Sequence, residues 1–426
     1  MPADTTRFWL TLADWGASPN HLVYSTNAGM NWVTPGITLP DDLALDQHVS
    51  LAGDGAGNIY AVFPYSQDIM MRRVRYPAQV QANKDPLRLV SAGAGSAAGP
   101  RANVMVQPTN NRVWVFTRES FIPSQNVRYH YTDNGGVSWI QGVADPTFAD
   151  QVRIGSMPYV NGQPALIVLY LGSSLGFKYY LWNGTAFEEK PDAQIYAGSL
   201  GFDRAFTHNV LSGDFFHLIF ENGDRLYHCW KQYNGGVGAW HQAIIDSTPF
   251  STGTTGWEPA SAARNNELIL FYRKRTSSDT TSGQILCRVW SQAQQAWSEP
   301  QLVSAASTNG SNHWPNCAMS IPSTCSTIPV LWSSVDQSDH ANIYCSRIVL
   351  PPTGPCCTGT RGNVDGVGIT DVSDLSALVA YITGATQYVG CREAANVNGL
   401  GIIDLSDLSM LLSYLTGVGS ALPACP

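Results

Sequence analysis

The chain has 426 residues, of which 44% are apolar and 13% charged, and its formal net charge is −8. This length and apolar content exclude a disordered protein and allow one large domain followed by a small one. The acidic balance, with no run of Lys or Arg, argues against a nucleic-acid partner and makes metal ions better candidates than phosphates. The 39 Gly, 25 Pro, 13 Trp and 18 Tyr are typical of short strands joined by tight turns.

Neither a membrane span nor a signal peptide is predicted. No stretch approaches the roughly 18 apolar residues that a spanning helix needs. The first residues, Met1, Pro2, Ala3 and Asp4, lack the charged and then apolar pattern of a signal peptide. An exported protein would therefore be present here in its mature form.

The cysteines indicate an oxidising compartment. Nine are many for a reduced cytoplasm, and Cys356, Cys357, Cys391 and Cys425 bracket the last 70 residues. No C-x-x-C spacing is present, which favours disulfides over a metal site. Because vicinal cysteines are poorly placed to bond to each other, Cys356 and Cys357 are each expected to pair with one of Cys391 and Cys425.

One unit recurs along residues 1–349. In each copy a β-rich run is followed, 10 to 15 residues later, by a second run, and seven such pairs are present. A period near 50 residues with four short strands per unit predicts a β-propeller blade rather than a sandwich. The expected fold is mainly β, a propeller of six or seven blades with seven favoured. The pairs are 7–13 with 21–25, 58–63 with 69–74, 112–117 with 127–131, 165–170 with 177–182, 215–220 with 225–230, 268–272 with 285–290, and 328–332 with 342–348.

The remaining cysteines fall into two groups. Cys317 and Cys325 flank a predicted turn, which a disulfide between them would close. Cys229, Cys287 and Cys345 fall 58 residues apart, at matching points of three successive units. Matching points of neighbouring blades lie farther apart than the roughly 4.4–6.8 Å Cα separation that a disulfide permits. At least one cysteine of this second group is therefore expected to stay a thiol.

Two turns share a polar and aromatic pattern. Residues 25–32 read STNAGMNW, and residues 132–139 read TDNGGVSW. A short polar side chain caps such a turn, Gly adopts backbone angles that other residues avoid, and Trp packs beneath the hairpin. Both turns resemble the Asp box of the sialidase superfamily, S/T-x-D-x-G-x-x-W, with Asn27 and Asn134 in the Asp position. Asp boxes are structural, so the resemblance implies a sialidase-like propeller and not an activity.

Charged and aromatic residues stand near the predicted starts of the inner strands. The sialidase resemblance would require an arginine triad, a Tyr/Glu nucleophile pair and an acid Asp, and the sequence does not display that set. These residues are instead expected to ring the mouth of the central channel, where three arginines could bind an anion or an acidic sugar. The alternative is a structural role, in which they pair with carboxylates and turn carbonyls. They are His48, Arg101, Arg153, Arg204, Glu258, His313 and Trp314.

The predicted strands do not complete every blade. Seven central pairs are accompanied by only six inner and six outer strands, so the first unit lacks an inner strand and the last lacks an outer one. The N-terminal segment is expected to complete the last blade and give a closed monomer. Alternatively, an unpaired edge recruits a strand of another chain, and a head-to-tail contact of this kind would grow a filament.

A linker at residues 350–357, rich in proline, separates the propeller from a small module at 358–426. In the module, residues 361–384 recur 33 residues later as 394–417. Each copy is a polar loop followed by the i, i+3, i+4, i+7 pattern of an amphipathic helix. The apolar positions are Leu375, Leu378, Val379 and Ile382 in one copy, and Leu408, Leu411, Leu412 and Leu415 in the other.

Both polar loops have the ligand spacing of an EF-hand-type calcium loop, in which hard oxygens surround the ion. The duplicated loop and helix resemble type I dockerin modules, which implies one or two calcium ions. Position 5 is Val367 or Leu400, so the first loop offers three carboxylates and the second two, and the second site should be weaker. The alternative is a metal-free pair of loops held by disulfides. The predicted ligands are Asn363, Asp365, the Ile369 carbonyl, Asp371 and Asp374, then Asn396, Asn398, the Ile402 carbonyl, Asp404 and Asp407.

The dockerin resemblance also implies a partner surface. In dockerins, residues beside the last ligand of each loop help to recognise a cohesin, and the corresponding residues here are Val372, Ser373, Leu405 and Ser406. Similar modules in other proteins dock within their own chain, which is the alternative.

Together these patterns favour a secreted or cell-surface propeller without catalytic activity, used for adhesion, recognition or assembly. A calcium-stabilised module would mediate docking within or between chains. The expected partners are a protein or further copies of the chain, and a glycan. The alternatives are a sialidase-like, glycoside-active enzyme with an unrecognised catalytic set, and a subunit of an extracellular filament.

Overall fold

A computed structural model describes most of the chain, in many short stretches. The described residues are 8–12, 20–27, 30–39, 49–54, 56–65, 68–75, 83–92, 102–107, 110–118, 126–146, 152–160, 163–171, 175–190, 206–211, 215–222, 224–232, 240–248, 257–264, 267–275, 283–292, 295–304, 312–318, 321, 327–335, 341–350, 357, 359–365, 369–383, 392–400, 403–419 and 421–425.

The chain divides into two compact units. The β unit comprises Met1–Ile321 and Pro329–Arg347, and the C-terminal unit comprises Pro322–Ile328 and Ile348–Pro426. Within the described ranges, no helix has the length and apolar character needed to cross a bilayer.

Short antiparallel strands build the β unit, except that Thr327 and Ile328 at the start of one strand, and Ile348 and Val349 at the end of another, belong to the C-terminal unit. In chain order they are β1 (Phe8–Leu12), β2 (Asn20–Ser25), β3 (Val33–Leu39), β4 (Ser50–Gly53), β5 (Ile59–Tyr65), β6 (Asp68–Val74), β7 (Arg88–Ser91), β8 (Ala102–Gln107), β9 (Arg112–Arg118), β10 (Val127–Thr132), β11 (Ile140–Asp145), β12 (Val152–Val160), β13 (Gln163–Leu171), β14 (Leu175–Trp182), β15 (Phe187–Lys190), β16 (Phe206–Leu211), β17 (Phe215–Asn222), β18 (Arg225–Gln232), β19 (His241–Ser247), β20 (Ala260–Arg264), β21 (Glu267–Lys274), β22 (Gln284–Ser291), β23 (Ala296–Trp297), β24 (Gln301–Leu302), β25 (Asn312–Asn316), β26 (Thr327–Val335) and β27 (Ala341–Val349).

The described strands form seven sheets, each a meander in which strands adjacent in sequence are also hydrogen-bonded neighbours, except that β24 pairs with β22. Four sheets have four strands and one has five, whereas the first (β1 to β3) and the last (β25 to β27) have three. The first strands of consecutive sheets, β4, β8, β12, β16, β20 and β25, contact one another in succession. Meanders arranged in this way are typical of propeller blades.

This topology confirms the prediction of a mainly β chain. Each of the seven predicted strand pairs is an adjacent pair in one sheet, from β1 and β2 to β26 and β27. The described part of the chain also contains the predicted six inner and six outer strands, with the first sheet lacking the inner strand and the last lacking the outer one. The number of blades in a closed ring stays a prediction.

Apolar clusters fill the spaces between consecutive sheets. One cluster joins β2 and β3 to β5 and β6, another joins the second sheet to the third, and a third joins the fifth sheet to the sixth. Between the third and fourth sheets, Trp114 of β9 is fully buried and its ring centroid lies 4.9 Å from that of Trp182 of β14. Central strands such as β5 are buried on both faces, which explains why they read as continuous apolar runs.

The two turns that resemble Asp boxes share one hydrogen-bond pattern. Asn27 Oδ1 accepts from the N–H of Asn31 at 2.8 Å, and Asn134 Oδ1 accepts from the N–H of Ser138 at 3.0 Å. In the second turn Gly136 has φ +88°, an angle that favours glycine. The matching residues of the first turn, 28 and 29, lie outside the described residues.

The C-terminal unit contains the helices α1 (Val372–Ile382), α2 (Arg392–Ala395) and α3 (Leu405–Leu415). Leu378 of α1 and Leu411 of α3 are fully buried in its main apolar core, as are Val364 and Val397 of the two loops. By contrast, Val379 and Leu412, which the amphipathic pattern assigns to the core, are 39% and 47% exposed. The apolar stripe on each helix is therefore wider than the core that it covers.

The disulfide prediction is correct in one part and wrong in another. Cys357 and Cys425 are bonded, with their Cα atoms 5.4 Å apart, whereas Cys356, Cys391 and Cys325 lie outside the described residues. Cys229, Cys287 and Cys345 all carry thiols, where at least one was expected to. Cys317 carries a thiol too, so the predicted link between Cys317 and Cys325 is wrong. Cys317 directly follows β25 and lies near Cys287, and burial together with this neighbour raises the pKa of its thiol.

Candidate functional sites

The first candidate site is the junction between the first polar loop and α1. Asp371 caps the helix in extended backbone geometry, with φ −145° and ψ −165°. Its carboxylate accepts from the N–H of Ser373 at 2.7 Å, and Asp374 Oδ2 accepts from the N–H of Asp371 at 2.8 Å. This reciprocal capping satisfies backbone donors that the first turn of a helix leaves without partners. The two hydrogen bonds from Ser373 lower the pKa of the Asp371 carboxyl.

The second copy repeats this arrangement at α3. Asp404 has φ −146° and ψ −165°, and it accepts from the N–H of Ser406 at 2.8 Å. Asp407 Oδ2 accepts from the N–H of Asp404 at 2.9 Å. The hydrogen bonds from Ser406 lower the pKa of the Asp404 carboxyl. The sequence repeat is therefore also a repeat of local structure.

A buried carboxylate lies at the last predicted ligand position of each loop. Asp374 and Asp407 are both fully buried, and their Oδ1 atoms accept from the N–H of Asp365 and of Asn398, each at 3.0 Å. Burial is the main cause that raises the pKa of the Asp374 carboxyl, and the nearby Asp365 carboxylate adds to it. The third, ninth and twelfth positions of each loop are thereby brought together.

The two loops differ at their third position. In the first loop Ser373 Oγ lies 2.8 Å from Asp365 Oδ2, whereas in the second Asn398 Nδ2 donates to Ser406 Oγ at 2.6 Å. An amide in place of a carboxylate leaves the second loop with one negative charge fewer. The donor set in both loops consists of carboxylate and amide oxygens, which suit a hard cation such as calcium.

Part of each predicted calcium loop lies outside the described residues. Ile402 and the middle of both loops, residues 366–368 and 401–402, lie outside the described residues, while Ile369 is described and its side chain is exposed. Among the residues that the structure describes, no group of three or more His, Cys, Asp or Glu side chains is arranged to hold a metal ion. Calcium binding therefore stays a proposal.

The four predicted partner residues divide into two kinds. Val372 and Leu405, the first residues of α1 and α3, are each 68% exposed. Ser373 and Ser406 instead donate their hydroxyl groups to the capping aspartates, each at 2.6 Å. The serines therefore stabilise the helix caps, whereas the aliphatic pair is exposed to solvent.

Most residues predicted at the channel mouth cannot be compared with the structure. His48, Arg101 and Arg204 lie outside the described residues, and Arg153 on β12 and Trp314 on β25 have no described side chain. Glu258 and His313 are brought together across two consecutive sheets. His313 Nδ1 lies 3.2 Å from Glu258 Oε1, and the glutamate has φ +42°, in the left-handed region that disfavours side chains.

The sequence missed a third member of this cluster, Arg273. It is 1% exposed, and its Nη1 lies 3.6 Å from Glu258 Oε1. Its backbone N–H donates to the carbonyl of Trp257 at 2.7 Å, and the N–H of Trp257 donates to Glu221 Oε2 at 2.9 Å. Arg273 directly follows the predicted strand at 268–272, and no sequence motif marks it as a site residue. The cluster fixes the loop before β20 and presents a carboxylate, a guanidinium and an imidazole at one end of the sheets.

Buried histidines form a separate polar cluster in the β unit. The indole N–H of Trp297 donates to His228 Nδ1 at 3.2 Å, so the neutral His228 carries its proton on Nε2 and donates to His217 Nδ1 at 2.9 Å. Burial lowers the pKa of His217 to about 3 and that of His228 well below its ordinary value. These histidines are neutral packing elements and offer no proton near neutral pH.

Comparison with known proteins gives only distant similarities. No family model matches the sequence, and no curated protein matches it. Among solved structures, the chain is similar to AofleA from Arthrobotrys oligospora at 13% identity, over 72% of this chain and 85% of that chain, with a TM-score of 0.46. It is similar to the Aleuria aurantia lectin, a six-bladed β-propeller that recognises fucose, at 11% identity over 72% and 97%, with a TM-score of 0.43.

A third similar structure is a leech intramolecular trans-sialidase, determined in complex with 2,7-anhydro-Neu5Ac. The identity is 8%, over 77% of this chain and 73% of that chain, with a TM-score of 0.46. At TM-scores of 0.43 to 0.46, these three similarities decide neither the number of blades nor a ligand of this chain.

Proposed function

We propose that this chain is a non-catalytic extracellular propeller for recognition or assembly, whose C-terminal unit is a calcium-stabilised, dockerin-like module that docks within or between chains. The observation that carries the proposal is the duplicated loop and helix. Both copies have the same buried carboxylate, the same capped helix start and the same exposed aliphatic residue, Val372 or Leu405. An exposed aliphatic side chain at matching places in both copies favours a contact surface over a role in the core.

Calcium would be held by the predicted oxygens of each loop. In the first loop these are Asn363, Asp365, Asp371, Asp374 and the Ile369 carbonyl, and in the second Asn396, Asn398, Asp404, Asp407 and the Ile402 carbonyl. A bound calcium ion would offset the mutual repulsion of the carboxylates and the cost of burying Asp374 and Asp407. With three carboxylates against two, the first loop should bind more tightly.

Calorimetric titration of the chelator-treated full chain with calcium tests this part. We expect two binding events, with the tighter one lost in Asp374→Asn and the weaker one lost in Asp407→Asn. Asp133→Asn is a matched control, because Asp133 is an exposed carboxylate that pairs with Arg112 in the β unit. No binding event and no calcium by elemental analysis would instead favour the metal-free pair of loops.

Docking is tested on the same protein by sedimentation and amide hydrogen exchange. If the module docks between chains, the 46.1 kDa chain associates with rising concentration in calcium, and Val372→Asp with Leu405→Asp abolishes the association. If it docks within the chain, the chain stays monomeric and the first turns of α1 and α3 are protected from exchange. A monomer with unprotected first turns, and no complex with a type I cohesin, would refute docking.

The extracellular location is supported by the bond between Cys357 and Cys425, since disulfides persist in oxidising compartments. We infer that the seven sheets close into one ring of the Asp-box type, in which the turn between β2 and β3 reaches β27. Burial raises the pKa of the Cys345 thiol on β27, and the adjacent Trp32 from the first sheet acts against that rise. We expect Trp32→Ala to accelerate alkylation of Cys345, whereas Cys229 stays protected. Unchanged Cys345 alkylation would argue against this closure.

A second candidate function, recognition or cleavage of a glycan, is favoured by Glu258. Non-glycine residues at positive φ often mark functional positions, and this glutamate is buried beside His313 and Arg273. A glycan array with the purified chain, followed by turnover assays on any glycan bound, tests the idea. Glu258→Gln should then abolish binding or turnover. An array without a bound glycan would leave the cluster a structural element.

A further inference from the structure

Arg361 lies outside both predicted sets of calcium ligands, two residues before Asn363. Its Nη1 donates to the carbonyl oxygens of Glu393 and Asn396, at 2.7 and 2.9 Å. Its backbone N–H donates to the carbonyl of Pro423 at 2.8 Å. The residue before the first loop is thus bonded to the backbone at the start of the second loop, 35 residues along the chain.

A further hydrogen bond strengthens this connection. The N–H of Gly362 donates to the carbonyl of Ala394 at 2.9 Å. Arg361 and Gly362 therefore contact three carbonyls in and just after α2, a short helix whose last carbonyls need partners. The planar guanidinium suits two carbonyls at once, which a lysine ammonium would hold less rigidly. We call these contacts of Arg361 and Gly362 the clasp.

The clasp also lies against the body of the second loop. A Cβ added to Gly399, which has φ +73°, would come within 3.4 Å of Arg361 Nε. Val364 and Val397, at the second position of each loop, are both fully buried in the shared core. The start of each loop is therefore held by the shared core and by the clasp. A displacement of one loop start should displace the other.

We propose that Arg361 is a positioning residue that couples the two loops, holding the backbone of Asn396 so that its side chain can serve the second calcium ion. This inference rests on the proposed calcium binding. The direction in which calcium affinity changes when Arg361 is removed tests it, because a cation near a calcium site repels the ion. If charge alone mattered, removing Arg361 would tighten calcium binding, whereas loss of positioning loosens it.

The test is calorimetric titration of the full chain with calcium, comparing wild type with Arg361→Met and Arg361→Lys. We expect Arg361→Met to weaken the second, weaker binding event about tenfold, as typical for groups that orient metal ligands, and to change the first much less. Arg361→Lys should give an intermediate loss. Arg392→Met is the control, because it removes the same charge from the same unit.

The possible outcomes separate the two proposals. A wild-type chain that binds no calcium refutes the calcium proposal itself. A wild-type chain with two binding events, and an Arg361→Met variant with equal or tighter second binding, overturns the coupling alone. If Arg361→Met does not fold, hydrogen exchange of the wild type decides. Amides of residues 396–400 should gain protection while calcium fills the first loop, and protection that appears only with the second ion would overturn the coupling.

Discussion

The β unit and the C-terminal unit differ in the ionisable groups that they bury. The β unit buries His130, His217 and His228 between sheets, where desolvation lowers their pKa values. The C-terminal unit contains no histidine, and within its described residues the buried ionisable side chains are two aspartates beside backbone donors. The β unit also has several apolar clusters between sheets, whereas the C-terminal unit has one main core and a disulfide. A unit with so small a core needs covalent or ionic support, which a large sheet assembly does not.

The largest expected effect is that mild acid destabilises the β unit more than the C-terminal unit. These three histidines have lower pKa values in the folded protein than in the unfolded chain. In mild acid the unfolded chain therefore binds protons that the folded β unit does not bind. The free energy of unfolding has its full value above about pH 6.5. Below that pH it falls by up to about 1.4 kcal/mol per pH unit for each histidine. The loss ends only near the folded pKa values, about 4 for His130 and about 3 for His217.

Urea denaturation between pH 7 and pH 5 measures this effect, and the C-terminal unit supplies the internal control because it has no histidine. Its capping carboxyl groups, Asp371 and Asp404, have lowered pKa values and remain charged over that range. Equal destabilisation of both units would show that the buried histidines do not govern the acid response.

Loss of the Trp114 side chain should destabilise the β unit by about 3–5 kcal/mol, as large-to-small changes at buried aromatic residues do. Trp114 packs against Trp182 and Phe187, with ring centroids 4.9 and 5.5 Å away. The measurement is urea denaturation of Trp114→Ala, with the exposed Val137→Ala as the matched control. A Trp114→Ala variant as stable as the control would contradict the packing described here.

Removal of the disulfide should act on the other unit. Cys357 and Cys425 are 68 residues apart, and a crosslink that closes a loop of this length stabilises by roughly 4 kcal/mol through the entropy of the unfolded chain. We expect the double substitution Cys357→Ser with Cys425→Ser to lower the melting temperature of the C-terminal unit alone. Hydrogen exchange of α1 and α3 is the readout, and unchanged protection of both helices would count against this role.

A smaller effect separates capping from metal binding at Asp404. Asn is a good helix cap but lacks the charge of Asp, whereas Ala lacks both properties. In excess chelator, Asp404→Ala should lower the urea midpoint of the C-terminal unit, whereas Asp404→Asn should leave it nearly unchanged. In calcium, both variants should lose stability relative to wild type. If Asp404→Asn matches wild type in calcium as well, this aspartate serves the helix cap only.

The sequence predicted the strand pairs because central strands such as β17 and β21 are continuous apolar runs, covered on both faces. It also predicted the repeated loop and helix, because the polar loop and the helical spacing of apolar residues recur after 33 residues. It placed the Cys317 disulfide wrongly, because the packing of Cys317 near Cys287 on another sheet is not a local property.

Contacts between distant segments explain what the sequence could not reveal about the candidate sites. Arg273 and Glu258 approach each other only because the loop before β20 folds back onto the end of β21. Arg361 has no motif of its own, and its role depends on carbonyls of residues 393 and 396. The exposed Val379 and Leu412 followed a correct helical pattern, yet the core is too small to cover them.

Differential scanning calorimetry of the full chain, with and without chelator, tests the central claim most directly. We predict two transitions at neutral pH. Chelator should move the transition of the C-terminal unit to a lower temperature, added calcium should restore it, and the transition of the β unit should stay in place. Transitions that both stay in place, or that move together, would contradict the account of a calcium-stabilised module beside a metal-independent β unit.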